Sequence, residues 1–206
     1  MQRPNYLAEI KNRIVSGAKG TIVVPADFID IAERTAVKMA LSRLEEEKLI
    51  RRIMRGVYEY PEYSSFLQEY IAPDPHKVAQ ALARNFGWTI VPCGNTALNL
   101  LGLSMQVPAV WSYVSDGPYK TYNFDTVMLR FKHSANKEFN GISLKSALVV
   151  QALKTLGSEK VGEAIPSLII TLTPEEKTKL LSETQYSTSW IYEAIKKICK
   201  PGDENV

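Results

Sequence analysis

The stretch Thr21–Pro61, TIVVPADFIDIAERTAVKMALSRLEEEKLIRRIMRGVYEYP, decides how this chain reads. Ile22 and Val24 alternate as in a short strand. Pro25 opens a short helix, PADFIDI; proline is tolerated there because the N–H it lacks would be unpaired at a helix start. After a break at Ala32-Glu33, a longer helix spans about Arg34 to Glu47. Val37, Ala40, Leu41 and Leu44 fall on one face of it at helical spacing. Thr35, Lys38, Met39 and Ser42 occupy the other face, with Arg34 beside them. Leu49–Ile53 and Gly56–Tyr58 then read as two strands around an Arg-Gly turn. Helix, turn, helix and hairpin in this order form the winged helix-turn-helix pattern.

Charge placement points the same way. Arg34, Lys38 and Arg43 lie early in the second helix, and Arg51, Arg52 and Arg55 cluster in the hairpin. The acidic run Glu45-Glu46-Glu47 sits at the far end of the helix, where repulsion from phosphate does least harm. In such motifs the start of the second helix meets base edges and the flanking cations meet phosphates. The expected DNA-contacting set is therefore Arg34, Thr35, Lys38 and Ser42 in the groove, with Arg43, Arg51, Arg52 and Arg55 on phosphates. The same residues also fit a solvated amphipathic helix followed by an ordinary hairpin.

The 206 residues allow one large domain or two small ones. A net charge of +3 is too weak to argue for nucleic acid by itself. Its distribution says more: residues 1–60 hold 11 Lys+Arg against 8 Asp+Glu, whereas residues 146–206 hold 7 against 8. The tail is thus not expected to be a second phosphate-binding arm. Cys93 and Cys199 have no metal-ligand spacing and read as free buried thiols in a reducing cytoplasm. Met1–Asn5 lacks a signal-peptide pattern, and no apolar run approaches membrane-spanning length, so a cytoplasmic protein without membrane contact is expected.

The reading divides the chain into a winged domain over residues 1–61, a linker at 62–75, a second domain over 76–200 and a frayed tail at 201–206. Asn5–Val15 is a helix with Tyr6, Ile10 and Ile14 on one stripe. The linker is expected to pack, because Tyr63, Phe66, Leu67 and Tyr70 are large and apolar. Pro73 and Pro75 mark entry to the second domain. That domain opens with a helix, Pro75–Phe86, whose buried stripe is Val78 and Leu82, extended by Phe86. Short strands at Trp88–Val91, Val110–Ser115, Tyr119–Phe124 and Val127–Phe131, with a helix at Asn95–Leu103, predict a mixed α/β body with a mainly antiparallel meander. Four helices follow, at Leu144–Leu156, Glu159–Leu168, Pro174–Glu183 and Ser187–Ile198. The fold class is α+β.

At this point the residues carry a likeness to a known family. The chain resembles the AbiEi-type antitoxins of bacterial abortive-infection (type IV) toxin–antitoxin systems, and more narrowly AbiEi-like proteins described as transcriptional regulators. The matching stretches are PADFIDI, ALSRL with LIRRIMRGVYEYP, HKVAQALARNFGWTIVPCGNTALNLLGLSMQVP and YVSDGP. The part from Pro92 through Gly94, Ala97, Asn99, Gly102, Leu103, Ser104 and Pro108 to Asp116-Gly117-Pro118 is the most specific. The resemblance implies a winged domain that represses its own operon at promoter repeats. It also implies a second domain that counteracts a nucleotidyltransferase-like toxin, directly or indirectly. Glu33 departs from the pattern, standing where relatives have a small capping residue.

Nothing in the second domain spells an enzyme or a cofactor site. His76 and His133 are the only histidines and lie far apart. Asp116, Asp125 and Glu138 do not form the clustered carboxylates a metal-dependent nuclease needs. No catalytic residue, metal or cofactor is expected. Arg130, Lys132, His133 and Lys137 form a second basic patch that reads as a solvated strand edge or as a nucleic-acid or partner surface. The competing functional reading is a protein-interaction module that neutralises or sequesters a toxin, with the winged domain as docking scaffold. One reading helix covers few base pairs, so two copies on one operator are expected, on repeats about 34 Å apart.

Overall fold

A computed structural model describes residues 5–134 and 141–200. The chain is α+β and divides into two compact units. One comprises the chain up to Trp88 together with Phe124–Thr126, and the other the remainder.

In the first unit, α1 (Tyr6–Val15) starts at Asn5, whose side chain accepts a hydrogen bond from the Ala8 N–H. Ile10 and Ile14 are buried, while Tyr6 at the outer end of the stripe is exposed. Strand β1 (Thr21–Val23) leads into a single 3-10 turn at Pro25–Phe28, shorter than the helix expected from PADFIDI. Helix α2 (Arg34–Glu46) buries Val37, Ala40, Leu41 and Leu44, the stripe read from spacing. These side chains pack with Ile10, Ile14, Phe28, Ile50, Tyr58 and Tyr60 into one core. Each fully buried leucine contributes about 1.5–3 kcal/mol of transfer free energy.

Strands β2 (Arg51–Met54) and β3 (Val57–Tyr60) turn at Arg55-Gly56, where Gly56 takes φ +78°, a conformation costly for other residues. The sheet order is β1-β3-β2, with both pairings antiparallel. Residues 61–75 differ from the packed linker expected. Strands β4 (Tyr63–Ser64) and β5 (Glu69–Tyr70) form a small hairpin. The rings of Tyr63 and Tyr70 meet edge to face at 5.3 Å, and Phe66 is 92% exposed at the tip. Within the hairpin the two tyrosines pack on each other, while Phe66 stays in solvent.

Helix α3 (Pro75–Phe86) has an Asp74 N-cap, proline at its first turn and Gly87 in the left-handed region at its end. The proline pair placed it at the opening of the second domain, but it packs within the first unit. Arg84 accounts for this: its Nε donates to Asp27 at 2.9 Å and its Nη2 to the Ile22 carbonyl at 3.1 Å. Phe86, expected on the buried stripe, is exposed and stacks on Trp88 at 4.8 Å.

The second unit holds a four-stranded sheet of order β6-β7-β9-β8, made of Ile90–Pro92, Val110–Ser115, Val127–His133 and Lys120–Phe124 respectively. This corrects the antiparallel meander. β6 and β7 are antiparallel, but β7 and β9 pair parallel, and β8 lies at the edge. Side-chain character explains the order. Lys120, Thr121 and Asn123 of β8 are exposed, whereas Leu129 and Phe131 of β9 are fully buried. The apolar strand takes the interior position, where Tyr113 stacks on Phe131 at 5.5 Å.

Helix α4 (Asn95–Leu100) precedes the sheet crossing, and the tail forms α5 (Leu144–Thr171), α6 (Pro174–Glu183) and α7 (Ser189–Cys199). Gly157, at φ +76° and ψ 168°, breaks α5 into the two helices expected from sequence. Ala97 and Leu101 of α4 join Val149, Leu153, Leu168 and Ile195 in the core of this unit. Thr173 and Glu176 cap α6 reciprocally. No described helix is long and apolar enough to cross a membrane.

Glu183 joins the end of α6 to the start of α5. Its Oε2 accepts from the Ser143 N–H at 2.9 Å and from the Ser143 hydroxyl at 2.8 Å. Burial pushes this carboxyl up, but hydrogen bonds from Ser146 and Ser143 and the charge of Lys179 outweigh it and hold it below the ordinary glutamate value. A depressed carboxyl stabilises the fold above its unfolded-state value, and the contribution disappears as pH falls through the folded one. Replacing Glu183 by Gln should cost about 1 kcal/mol at neutral pH. It should also flatten the acid limb of a plot of melting temperature against pH. Parallel acid limbs for the two proteins would contradict this.

Candidate nucleic-acid interface

The outward side of α2 lies opposite its buried stripe. At 100° per residue, Thr35, Met39 and Ser42 form its centre line, with Lys38 on one flank and Arg43 on the other. All five are exposed, and Met39 is 70% exposed. Thr35, Lys38 and Ser42 have no side-chain partner among the described residues. Glu46 continues the same line one turn on, so the negative charge begins where the helix ends. Glu33 occupies the N-cap position without capping through its side chain, leaving the first N–H groups of α2 open.

The remaining expected contacts divide. Arg34 is exposed, but its Nη2 donates to the Asn85 carbonyl at 3.2 Å and to the Asn85 side chain at 3.1 Å. No local pattern reveals this contact, because its partner lies 51 residues away. Arg43 sits 3.7 Å from Glu47, an exposed i,i+4 pair of small energetic weight. Arg52 and Arg55 are exposed on the hairpin without partners among the described residues. Arg52 lies close enough to Tyr58 to oppose the rise that burial gives its phenol.

Arg51 faces the other way. Its Nε donates to Glu59, its Nη2 to the Ile71 carbonyl, and its guanidinium lies 5.8 Å from the Tyr70 ring centre. The Glu59 side chain is 3% exposed, so Arg51 is bound up in neutralising a buried carboxylate rather than offered to a phosphate. Arg51 is thus engaged differently from Arg52 and Arg55, with which the sequence groups it. The cause is register: Arg51 lies across from Glu59 and Arg52 across from Tyr58, with a shift of pairing before Met54.

The second basic patch is not one surface. Arg130 and Lys132 share a face of β9, while alternation puts His133 on the other, its Nδ1 2.9 Å from the Gly117 carbonyl. Lys137, like Glu138, lies outside the described residues. Asp116 accepts from the Thr89 N–H at 2.8 Å, and Asp125 takes φ +47° in the β8–β9 turn, so both are turn residues. Among the described residues, no group of His, Cys, Asp and Glu side chains could hold a metal ion. The Cys199 thiol donates to the Lys177 carbonyl at 3.3 Å, and burial raises its pKa.

A family model described as "Family of unknown function (DUF6088)" matches residues 9–181. The chain belongs to that family. No curated protein matches it. Among solved structures, it is similar to the crystal structure of the RV2827C protein from Mycobacterium tuberculosis. The similarity covers 96% of this chain and 77% of that one, at 12% identity and a TM-score of 0.43.

Proposed function

We propose that this DUF6088 protein is a sequence-specific, double-stranded-DNA-binding transcriptional repressor, with the first unit as a winged helix-turn-helix. The observation that carries the reading is the exposed line of Thr35, Met39 and Ser42 with Lys38 beside it, unpaired among the described residues and free of carboxylates until Glu46. The sheet order β1-β3-β2 around α2 and the exposed Arg52 and Arg55 support it. In this arrangement α2 enters the major groove, and the hairpin arginines lie along the phosphates. The resemblance to AbiEi-type antitoxins extends the proposal to autoregulation of a toxin–antitoxin operon in the cytoplasm, with two copies on repeated sites.

The test is a gel shift of the full-length chain on duplex DNA from upstream of its own gene, against an unrelated duplex of equal length. Binding at least about a thousandfold tighter to the upstream duplex is expected. Equal affinity overturns the reading. Replacing Arg52 or Arg55 by Ala should weaken all sequences alike and reduce the slope of log affinity against log salt by about one unit each. An unchanged slope in both variants removes the hairpin from the interface.

A second reading, the protein-interaction module, rests on the β4–β5 hairpin. Phe66 is 92% and Leu67 58% exposed, and the hairpin carries Glu69 rather than a cation. Exposed apolar groups of this kind mark protein contacts. Recovery from lysate of a stoichiometric protein partner without DNA, lost on Phe66→Ser, would favour it over the repressor.

A further inference from the structure

Resting on the DNA-binding reading above, we infer that Met39 reads a thymine methyl group in the major groove. The residue is out of place as a core or solvent side chain. It lies in the middle of the outward face of α2, opposite Val37, Ala40, Leu41 and Leu44, and is 70% exposed. Its neighbours on that face are a threonine, a lysine, a serine and an arginine. All of these can donate hydrogen bonds to base or phosphate acceptors.

Met39 cannot act in that way. Its thioether has no donor and is only a weak acceptor, so it gains nothing from the N7, O6 or O4 acceptors and little from the amino groups that line the groove. The one apolar feature those base edges present is the C5-methyl of thymine. Contact between two methyl groups removes apolar surface from water on both sides. Along the helix, Met39 lies four residues from Thr35, about 6 Å, or nearly two base-pair steps of about 3.4 Å. Thr35 and Met39 therefore address positions about two base pairs apart, with Lys38 between them along the helix and Met39 supplying the apolar contact. Its flexible, polarizable side chain adapts to that contact without a fixed hydrogen-bond geometry.

The experiment uses the full-length chain and a random-sequence duplex pool enriched by binding to it. The enriched duplexes are amplified with either thymidine or deoxyuridine triphosphate, which removes only the C5-methyl groups. For the unaltered protein, affinity should fall by about fourfold or more on the uracil duplex, the loss expected for one methyl contact. Met39→Ala should bind the thymine duplex more weakly and discriminate less than about twofold. Met39→Gln, of similar length but polar, should also lose the preference. The substituted position is exposed, and Ala and Gln are good helix formers, so both variants should fold. Equal binding of thymine and uracil duplexes by the unaltered protein, or an undiminished preference in Met39→Ala, overturns this inference and leaves the DNA-binding reading intact. A pool that fails to enrich overturns both.

Discussion

Replacing Arg51 by Met should destabilise the first unit by about 3–5 kcal/mol, the cost of leaving a buried carboxylate without its partner. The Glu59 side chain is 3% exposed, and among the described residues Arg51 is its ion-pair partner. Native domains hold only about 5–15 kcal/mol, so the variant should melt far earlier or fail to fold. The converse change should be milder. Glu59→Gln keeps an acceptor for Arg51, and the Arg51 side chain is 34% exposed, so its charge can reach water. A loss of about 1 kcal/mol is expected there. Chemical denaturation of the two variants checks the order; equal losses would mean that burial of Glu59 does not decide the energetics. The pair also separates structural from functional arginines. Folded Glu59→Gln should keep the full salt dependence of DNA binding, unlike variants of Arg52 or Arg55.

Replacing Lys38 by Ala should lower affinity for the preferred duplex by roughly 5–150-fold, the range for losing one base-directed contact of about 1–3 kcal/mol. Lys38 is exposed and makes no ion pair or hydrogen bond among the described residues, so its removal should leave the melting temperature unchanged within error. Affinity for unrelated duplexes should fall far less, because the lost contact carries sequence information. A uniform loss across all sequences would instead place Lys38 on a phosphate. Titrations of both duplexes at a fixed salt concentration make the comparison. Arg34 is expected to behave differently from Lys38. Its guanidinium is held by Asn85, so Arg34→Ala should affect stability as well as affinity.

Met39, Thr35 and Ser42 could be placed on one side of α2 from spacing alone, because helical periodicity acts within a few residues. The caps are equally local: Asn5, Asp74 and Thr173 each bond a backbone N–H two or three residues on. The Arg55-Gly56 turn was legible because Gly56 alone tolerates its φ at low cost. The role of the two neighbouring arginines was not. Side chains alternate across a strand, so a pairing shift of one residue exchanges which of Arg51 and Arg52 opposes Glu59. No feature near either arginine announces that choice.

Local chemistry thus determined the longer helices, the centres of their buried stripes and the hairpin turn, since each depends on contacts within about one turn of chain. Tertiary structure decided the parallel pairing of β7 with β9, the place of α3 in the first unit and the engagement of Arg34 and Arg51. Each of these is a competition between distant partners: an apolar strand displaces a polar one from the sheet interior, Arg84 finds Asp27 across 57 residues, and a carboxylate that loses its water takes the cation within reach. Burial settles such contests, and burial is a property of the assembled unit rather than of any stretch within it.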